Sequence, residues 1–360
     1  GRRCMILIVV YVDDLIMLGA KSLRPCIADI RETITMEDPM PMYRYLGCQH
    51  HFSFSGPQGK RLTTCRFEMS GYFQQALEVY QTDTGLPVKS STSPYVPAIK
   101  DEVLDHNLAT PGRWQRLAPH FLMKLLYGAR MAHPGLSLGI NRLTRVVSKW
   151  NAECDRRMHR LYEFLAGTDY VLDGTLSQED LETCTIDVWA DSDLNGDLFD
   201  TKSTGGCFIE LAGSEGRGMP LTWGAIKGEG TSVHTQDAET VSMSKWVKSD
   251  GIALQHIFQV LLNRPVVMRL MEDNDATITA VHKGYSPSLR HLVRAQRVSL
   301  GFLHELVCPD PELDLSKDGD ILMLRADSEV QKGDMFTKEL DVAAFQRALE
   351  MINMVNLKKK

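Results

Sequence analysis

The stretch DSDLNGD, from Asp191 to Asp197, lies where alternating apolar and polar residues give way to a polar turn. Its acids, amide and glycine are arranged like the first half of a calcium-binding EF-hand loop. Such a loop follows a helix and needs an acid at its twelfth position, which is Lys202 when the count starts at Asp191. Residues 186–191 instead alternate as a strand does. We therefore favour a functional carboxylate at a strand end over a calcium loop or a plain surface turn.

Length and composition place the chain among ordinary folded proteins. Its 360 residues suggest roughly two or three domains. The net charge of −6 gives no overall attraction to nucleic acid, so such a surface must be local. No apolar run of about 18 residues exists, so we expect no membrane partner and an intracellular protein. The eight cysteines contain no CxxC pair, which argues against a zinc ribbon or a disulfide framework.

Two apolar runs near the start of the chain, residues 6–12 and 15–18, flank Asp13 and Asp14. This pattern predicts a hairpin of two strands with both carboxylates at its tip. The chain has no initiator methionine and begins directly in the first of these strands. We therefore expect a fragment or a processed product.

Helices and a connecting segment follow the hairpin. Residues 22–34 and 72–80 are helix-like, and residues 88–97, rich in serine and proline, are a candidate linker. The pattern from 113 to 167 is helical, and Gly167 is predicted to end it. One face of this segment carries large apolar side chains at helical spacing: Met158, Leu161, Tyr162 and Leu165.

The chain after residue 178 has the pattern of a mixed α/β domain. Strands are predicted around 186–191, 207–211 and 220–223, then a long helix and a strand over 266–271. Two helices, a strand over 321–324 and a last helix complete the order. Thr235 is predicted to cap the long helix. Its predicted buried face comprises Glu239, Met243, Trp246 or Val247, Ile257 and Leu261.

Four carboxylates are predicted to lie near the ends of these elements. They are Asp191 after the first strand, Glu239 early in the long helix, Asp273 after the fourth strand and Asp334 before the last helix. Several carboxylates that converge at one edge of a sheet can bind two divalent metal ions, because hard cations prefer oxygen ligands. A solvated acid or a helix-end acid is the alternative at each position.

A basic segment follows the fourth strand. Residues 288–306 predict an amphipathic helix with Arg290, Arg294 and Arg297 at four- and three-residue spacing and His291 beside them. One basic helix face of this kind suits nucleic-acid phosphates. A solvated charged face is the alternative.

Several ordered motifs resemble those of one protein family. The segments ADSDLNGD, KSTGGCFIELAG, PLTWGAIKG, TQDAETVSM, EDNDATITAV and GDMFTKEL, in this order, resemble the ribonuclease H domain of copia-type LTR retrotransposon Pol polyproteins. VVYVDDLIMLG resembles the polymerase hairpin of the same family's reverse transcriptase, and YLG at 45–47 its primer grip. FLMKLLYGARMAHPGLSLGINRLTRVVSKW and LYEFLAGT resemble its connecting helices. The resemblance covers nearly the whole chain.

The resemblance implies an organisation in three parts. Residues 1–110 would be the end of the reverse-transcriptase palm and thumb, 111–176 a helical connection, and 177–360 a ribonuclease H-like, three-layer α/β domain with a mixed five-stranded sheet. It implies the quartet Asp191, Glu239, Asp273 and Asp334 as ligands of two Mg²⁺ ions, for which Mn²⁺ can substitute. The implied substrate is the RNA strand of an RNA–DNA hybrid, and the implied location a cytoplasmic virus-like particle or the nucleus.

The resemblance also implies limits. Asp13 and Asp14 would be polymerase metal ligands, but that site needs a further aspartate and fingers, so we expect no DNA synthesis unless the rest of the polyprotein or another chain supplies them. Leu194, Val233-His234, Asp237 and Thr240 depart from the family's usual residues. None of these departures removes a carboxylate. The alternative is an inactive element remnant that at most binds nucleic acid.

Overall fold

The computed structural model describes residues 6–12, 14–19, 24–57, 61–194, 196, 198–199, 202–228, 232–307 and 321–359. Across these ranges no helix is both long enough and apolar enough to cross a membrane.

Regular secondary structure occupies most of these residues. The strands are β1 (Ile6–Tyr11), β2 (Asp14–Gly19), β3 (Arg44–Tyr45), β4 (Cys48–Ser55), β5 (Leu62–Glu68), β6 (Tyr170–Ser177), β7 (Thr185–Asp193), β8 (Thr204–Ala212), β9 (Gly218–Lys227), β10 (Met268–Glu272), β11 (Ile321–Arg325) and β12 (Met354–Asn356). The helices are α1 (Arg24–Thr33), α2 (Ser70–Thr84), α3 (Asp101–Ala109), α4 (Ala118–Met131), α5 (Ser137–Thr144), α6 (Ala152–Gly167), α7 (Asp180–Thr183), α8 (Thr235–Trp246), α9 (Ile252–Leu262), α10 (Asp275–Lys283), α11 (Leu292–Ala295), α12 (Leu300–Val307) and α13 (Val342–Met351).

The predicted N-terminal hairpin is present. β1 and β2 pair antiparallel, with Tyr11 opposite Asp14 at the turn. Asp14 is exposed, whereas Asp13 lies outside the described residues. Apolar side chains of the hairpin such as Val10 and Tyr11 are also exposed. The hairpin forms a sheet of its own, separate from the two larger sheets.

A mixed five-stranded sheet, in the order β11-β10-β7-β8-β9, confirms the predicted mixed α/β architecture. β8 pairs antiparallel with β7 and β9, while β10 is parallel to both β7 and β11. Because β7 and β10 are parallel neighbours, their carboxyl ends lie at one edge of the sheet. Each of these two strands carries predicted site residues at that end.

A second five-stranded sheet, in the order β12-β6-β5-β4-β3, is antiparallel throughout. Its strands come from all three of the segments predicted as palm and thumb, connection and α/β domain. Met354 in β12, for example, pairs with Leu172 in β6. The boundaries after residues 110 and 176 stay predictions, but the polypeptide makes extensive contacts across both.

The connecting helices have the predicted buried face. Met158, Leu161, Tyr162 and Leu165 are all buried, and α6 ends at Gly167. A Cβ at Gly167 would lie 2.2 Å from the carbonyl oxygen of Ser91, so only glycine allows this approach. The linker candidate 88–97 has no helix or strand, yet it is packed here, since the Ser91 amide donates to the Glu163 carbonyl at 2.9 Å.

The long helix predicted after Thr235 is not one continuous α-helix. A π-helical segment, Val247–Gly251, separates α8 from α9. A π turn adds a residue to the repeat and rotates the buried stripe around the helix. Met243 and Val247 are buried as predicted, but Ile257 is 47% exposed, so its predicted burial is wrong. Leu254, Phe258 and Leu262 pack against the core instead.

The two sheets and the connecting helices share one apolar core. Trp189 and Phe208, on one face of the mixed sheet, belong to the same buried cluster as Phe121 of α4 and Leu161 of α6. The Trp223 indole of β9 also donates to the Ala129 carbonyl of α4 at 2.9 Å. The opposite face of the mixed sheet packs against α8, α10 and α12 in a second cluster. The edge that carries the acids is therefore supported from both sides.

Candidate metal centre

Asp191 lies near the end of β7, the central strand of the mixed sheet. The strand is buried on both faces, and Asp191 itself is 1% exposed. Its carboxylate accepts a hydrogen bond from the Thr337 hydroxyl, and the Lys338 ammonium lies 3.3 Å from its Oδ1 atom. The strand that precedes Asp191 excludes the helix an EF-hand requires, and Asn195 and Asp197 lie outside the described residues.

Glu239 lies in the second turn of α8 and points into the protein. The helix is capped at His234, one residue before the predicted Thr235, and Asp237 accepts from the backbone amides of Val233 and His234. Glu239 is 4% exposed, and its buried Oε2 atom has no hydrogen-bond partner among the described residues. Burial, then the nearby Asp191, Glu272 and Asp273, raise the pKa of Glu239 well above its ordinary value.

Asp273 follows β10 directly. Asn274 caps α10, because its side chain accepts from the amides of Ala276 and Thr277. Asp273 is thereby left to face the site, where the Ser328 hydroxyl donates to its Oδ2 atom at 3.1 Å.

The structure brings three of the four predicted carboxylates together. Each of Asp191, Glu239 and Asp273 offers an oxygen atom that lies within 4.8 Å of the others. Oxygens on opposite sides of one Mg²⁺ ion are about 4.2 Å apart, twice the usual Mg–O distance. Among the described residues this is the only group of at least three histidine, cysteine or acidic side chains with such geometry. The unpartnered Glu239 oxygen and the all-oxygen donor set both fit a hard divalent cation.

Asp334 lies beside this group. It begins a short 3₁₀ turn, and its Oδ1 atom accepts from the Lys338 ammonium at 2.7 Å. Burial, followed by the charge of Asp191, raises the pKa of Asp334 to about 6, although Lys338 acts in the opposite direction. Lys338 thus bridges Asp334 and Asp191 and balances part of their charge. The metal-binding role predicted for all four acids stays a prediction.

Three residues at the centre were missed by the sequence analysis. Thr337 and Lys338 lie within the motif GDMFTKEL, from which only Asp334 was predicted as a site residue. Glu272 is the last residue of β10 and directly precedes Asp273, and the sequence pattern assigned it no role. Glu272 is fully buried, and one of its oxygens accepts from the Asn274 amide at 3.0 Å, while the other has no partner within the described part of the chain. Burial is the main cause that raises the pKa of Glu272 to about 8.

The raised pKa of Glu272 predicts a pH-dependent stability in metal-free buffer. The folded state keeps this proton up to a pH of about 8, whereas the unfolded chain loses it near 4.5. The contribution of protonated Glu272 to the free energy of unfolding is therefore full below pH 4.5. It falls as the pH rises to about 8 and changes little at higher pH. Glu272→Gln cannot ionise, so its advantage over wild type in unfolding free energy should grow across this range by on the order of 3 kcal/mol.

Urea unfolding of both proteins at several pH values, in EDTA, measures this difference. Glu305→Gln, at an exposed position on α12, serves as the matched control and should follow wild type. A constant difference between Glu272→Gln and wild type from pH 4.5 to 8 would contradict the prediction.

The predicted basic helix over 288–306 is wrong. A 3₁₀ turn, α11 and α12 divide it, and Arg297 lies between the helices at a φ of 55°. The break lets Val298 and Leu300 both enter the core, although they would lie on nearly opposite sides of a continuous helix. Arg290, Arg294 and Arg297 therefore do not share one helix face.

The individual basic residues have different surroundings. Arg290 lies over the Tyr285 ring, and Arg297 is exposed. The His291 Nε2 atom lies 3.1 Å from the buried Asp237 carboxylate at the start of α8, so this ring supports the helix that carries Glu239. The side chain of Arg294 lies outside the described part of the chain.

Comparison with known proteins gives one informative match. No family model matches the chain. A retrovirus-related Pol polyprotein from transposon RE1 of Arabidopsis thaliana is 21% identical over 363 aligned positions, which cover 99% of this chain. The chain spans about a fifth of that polyprotein, 22% of its length. The resemblance to a retrotransposon Pol polyprotein, first indicated by the ordered motifs, is therefore confirmed along nearly the whole chain.

Proposed function

We propose that this chain is a Pol polyprotein segment of the copia type and that it hydrolyses the RNA strand of an RNA–DNA hybrid with Mg²⁺. The observation that carries the proposal is the convergence of Asp191, Glu239 and Asp273 at one sheet edge, within 4.8 Å of one another. The strand order of the sheet and the similarity to a transposon Pol polyprotein support a ribonuclease H-like reading of that site.

The protein's own residues would hold and orient the reacting groups. Asp191, Glu239 and Asp273 would bind one cation, and Asp334, which shares Lys338 with Asp191, would serve a second. Bound Mg²⁺ supplies the charge that activates a water molecule and stabilises the leaving oxygen, a role that Mn²⁺ can also fill. The Thr337 hydroxyl fixes the orientation of the Asp191 carboxylate. Burial of this edge keeps its dielectric constant low, which strengthens these interactions.

Hybrid recognition would depend on the backbone and on shape. Contacts to phosphates and 2′-hydroxyl groups distinguish an RNA–DNA hybrid from duplex DNA without reading bases. Arg290 and Arg297 can contribute separately to phosphate contacts, since the break after α11 means that they do not share one helix face. We expect little sequence preference and a strong dependence on salt.

A hydrolysis assay on the full chain tests the proposal. A hybrid labelled on its RNA strand should be cut in Mg²⁺ and remain intact in EDTA, while the same RNA as a single strand and a matched DNA duplex should remain uncut. Asp273→Asn keeps the shape of the side chain but removes a ligand charge. It should lower cleavage about a thousandfold, because several kcal/mol of transition-state stabilisation depend on the metal.

Asp275→Asn is the matched control, since Asp275 is exposed, lies two residues away and pairs with Arg325. It should cleave nearly as wild type does. Equal background cleavage by wild type and Asp273→Asn would reject hydrolysis and favour the inactive remnant.

A further inference from the structure

We propose that Arg142, in the connecting helix α5, is a positioning residue for the Asp191 carboxylate, so that the connection completes the metal centre. The inference deepens the proposed function and rests on it for the reaction, although the metal site can be tested by itself.

Arg142 reaches from α5 into the segment that carries the site. Its side chain is 8% exposed, and Nη1 lies 2.6 Å from Glu339 Oε1. Nη2 donates to the Thr337 carbonyl at 3.0 Å and lies 3.3 Å from Asp193 Oδ2. One guanidinium therefore binds three groups that flank Asp191 in sequence or in space. Its planar fork of donors suits this role better than the single ammonium of lysine.

The contacts of residues 337–339 carry the effect to the carboxylate. The Thr337 hydroxyl donates to Asp191, and the next residue, Lys338, lies between Asp191 and Asp334. The third residue, Glu339, is held by Arg142. A shift of this short segment would therefore move two partners of Asp191 at once. Mutation of groups that orient metal ligands in this way commonly lowers metal affinity or activity 10- to 100-fold.

The segment is also anchored to a second connecting helix. Glu339 Oε1 lies 2.6 Å from Nη1 of Arg157 in α6, and Arg157 in turn pairs with the fully buried Glu153. Loss of one member of such a cluster leaves a buried charge with fewer partners, which favours rearrangement of the remaining groups. The two helices thus hold the site segment through arginines, and Arg142 is the member that also touches the Thr337 backbone.

Manganese binding to the full chain, measured by electron paramagnetic resonance, tests the inference without any turnover. Arg142→Met should raise the dissociation constant for Mn²⁺ about tenfold or more. Arg160→Met is the matched control, because Arg160 lies on the same helix as Arg157 but binds Glu163 and the Tyr95 carbonyl, outside this cluster. It should bind Mn²⁺ as wild type does.

A double-mutant cycle keeps the inference testable if Arg142→Met loses general stability. Thr337→Val removes only the hydroxyl that reaches Asp191, so its effect and that of Arg142→Met should overlap and combine to less than their product. Ser328→Ala removes the hydroxyl that reaches Asp273 and should combine with Arg142→Met multiplicatively. Should Arg142→Met not fold, Arg142→Lys keeps the charge but loses the planar fork of donors, and it should bind Mn²⁺ at least roughly fivefold more weakly than wild type.

The outcomes separate this inference from the proposed function. Mn²⁺ binding that depends on Arg142, without hybrid cleavage, would reject the nuclease and support the positioning role. An Arg142→Met dissociation constant within twofold of wild type, wild-type affinity in Arg142→Lys where Arg142→Met does not fold, or a wild type that binds no Mn²⁺ would each overturn the inference.

Discussion

Glu239→Gln is expected to stabilise the metal-free protein by about 1–3 kcal/mol and to abolish hybrid cleavage. Burial and three neighbouring acids raise the pKa of Glu239 well above 4.5, so folding at pH 7 requires this group to take up a proton or to bear an unfavourable charge. Keeping an acid of ordinary pKa protonated at pH 7 costs about 3 kcal/mol, and glutamine removes that cost. The same change deletes the charge of a proposed metal ligand, so opposite effects on stability and on the proposed activity are expected.

Thermal unfolding in EDTA and in Mg²⁺ measures the stability and the metal binding, and the hybrid assay measures the cleavage. Wild type should gain stability in Mg²⁺, by about 2.7 kcal/mol at a hundred times the dissociation constant, and Glu239→Gln should gain much less. Glu329→Gln, the same substitution at an exposed acid beside Ser328, should behave as wild type does. A Glu239→Gln protein that is less stable than wild type in EDTA, or that retains the full gain in Mg²⁺, would refute the assignment of a metal ligand.

Residues 177–360 are expected not to fold when they are expressed alone. β12 would lose its antiparallel partner β6, and Trp189, Phe208 and Phe336 would lose the apolar cluster they share with α4 and α6. Burying a large side chain contributes about 1.5–3 kcal/mol, so exposing three of them removes much of the 5–15 kcal/mol typical of a domain. Glu339 would also lose both of its arginine partners.

Circular dichroism and amide-proton dispersion of the excised segment measure this expectation. A chain of residues 41–360 is the control, since none of the described side chains of the hairpin or of α1 belongs to the two buried clusters. It should remain folded. A cooperative unfolding transition in the isolated segment 177–360 would show instead that the predicted boundary after residue 176 separates autonomous units.

The local elements of the mixed sheet were predictable because each depends on short-range patterns. Alternation over 186–191 indicated β7, and the apolar run 266–271 indicated β10. The same reasoning failed where packing overrides local periodicity. The π segment at 247–251 rotated the buried face of the long helix, and the core positions of Val298 and Leu300 broke the basic helix.

The sequence by itself determined the order along the chain of the strands in the mixed sheet, the likeness to a Pol polyprotein and the identity of the three acids that converge. Those features follow from residue type and from spacing along the chain, which local sterics and hydrophobicity translate directly. Only the tertiary structure decided that Asp334 is held by Lys338, that Glu272 is buried with a raised pKa, and that Arg142 reaches the site from a connecting helix. Each depends on contacts or burial set by distant parts of the chain, and the energy of a buried charge is set by its surroundings in space.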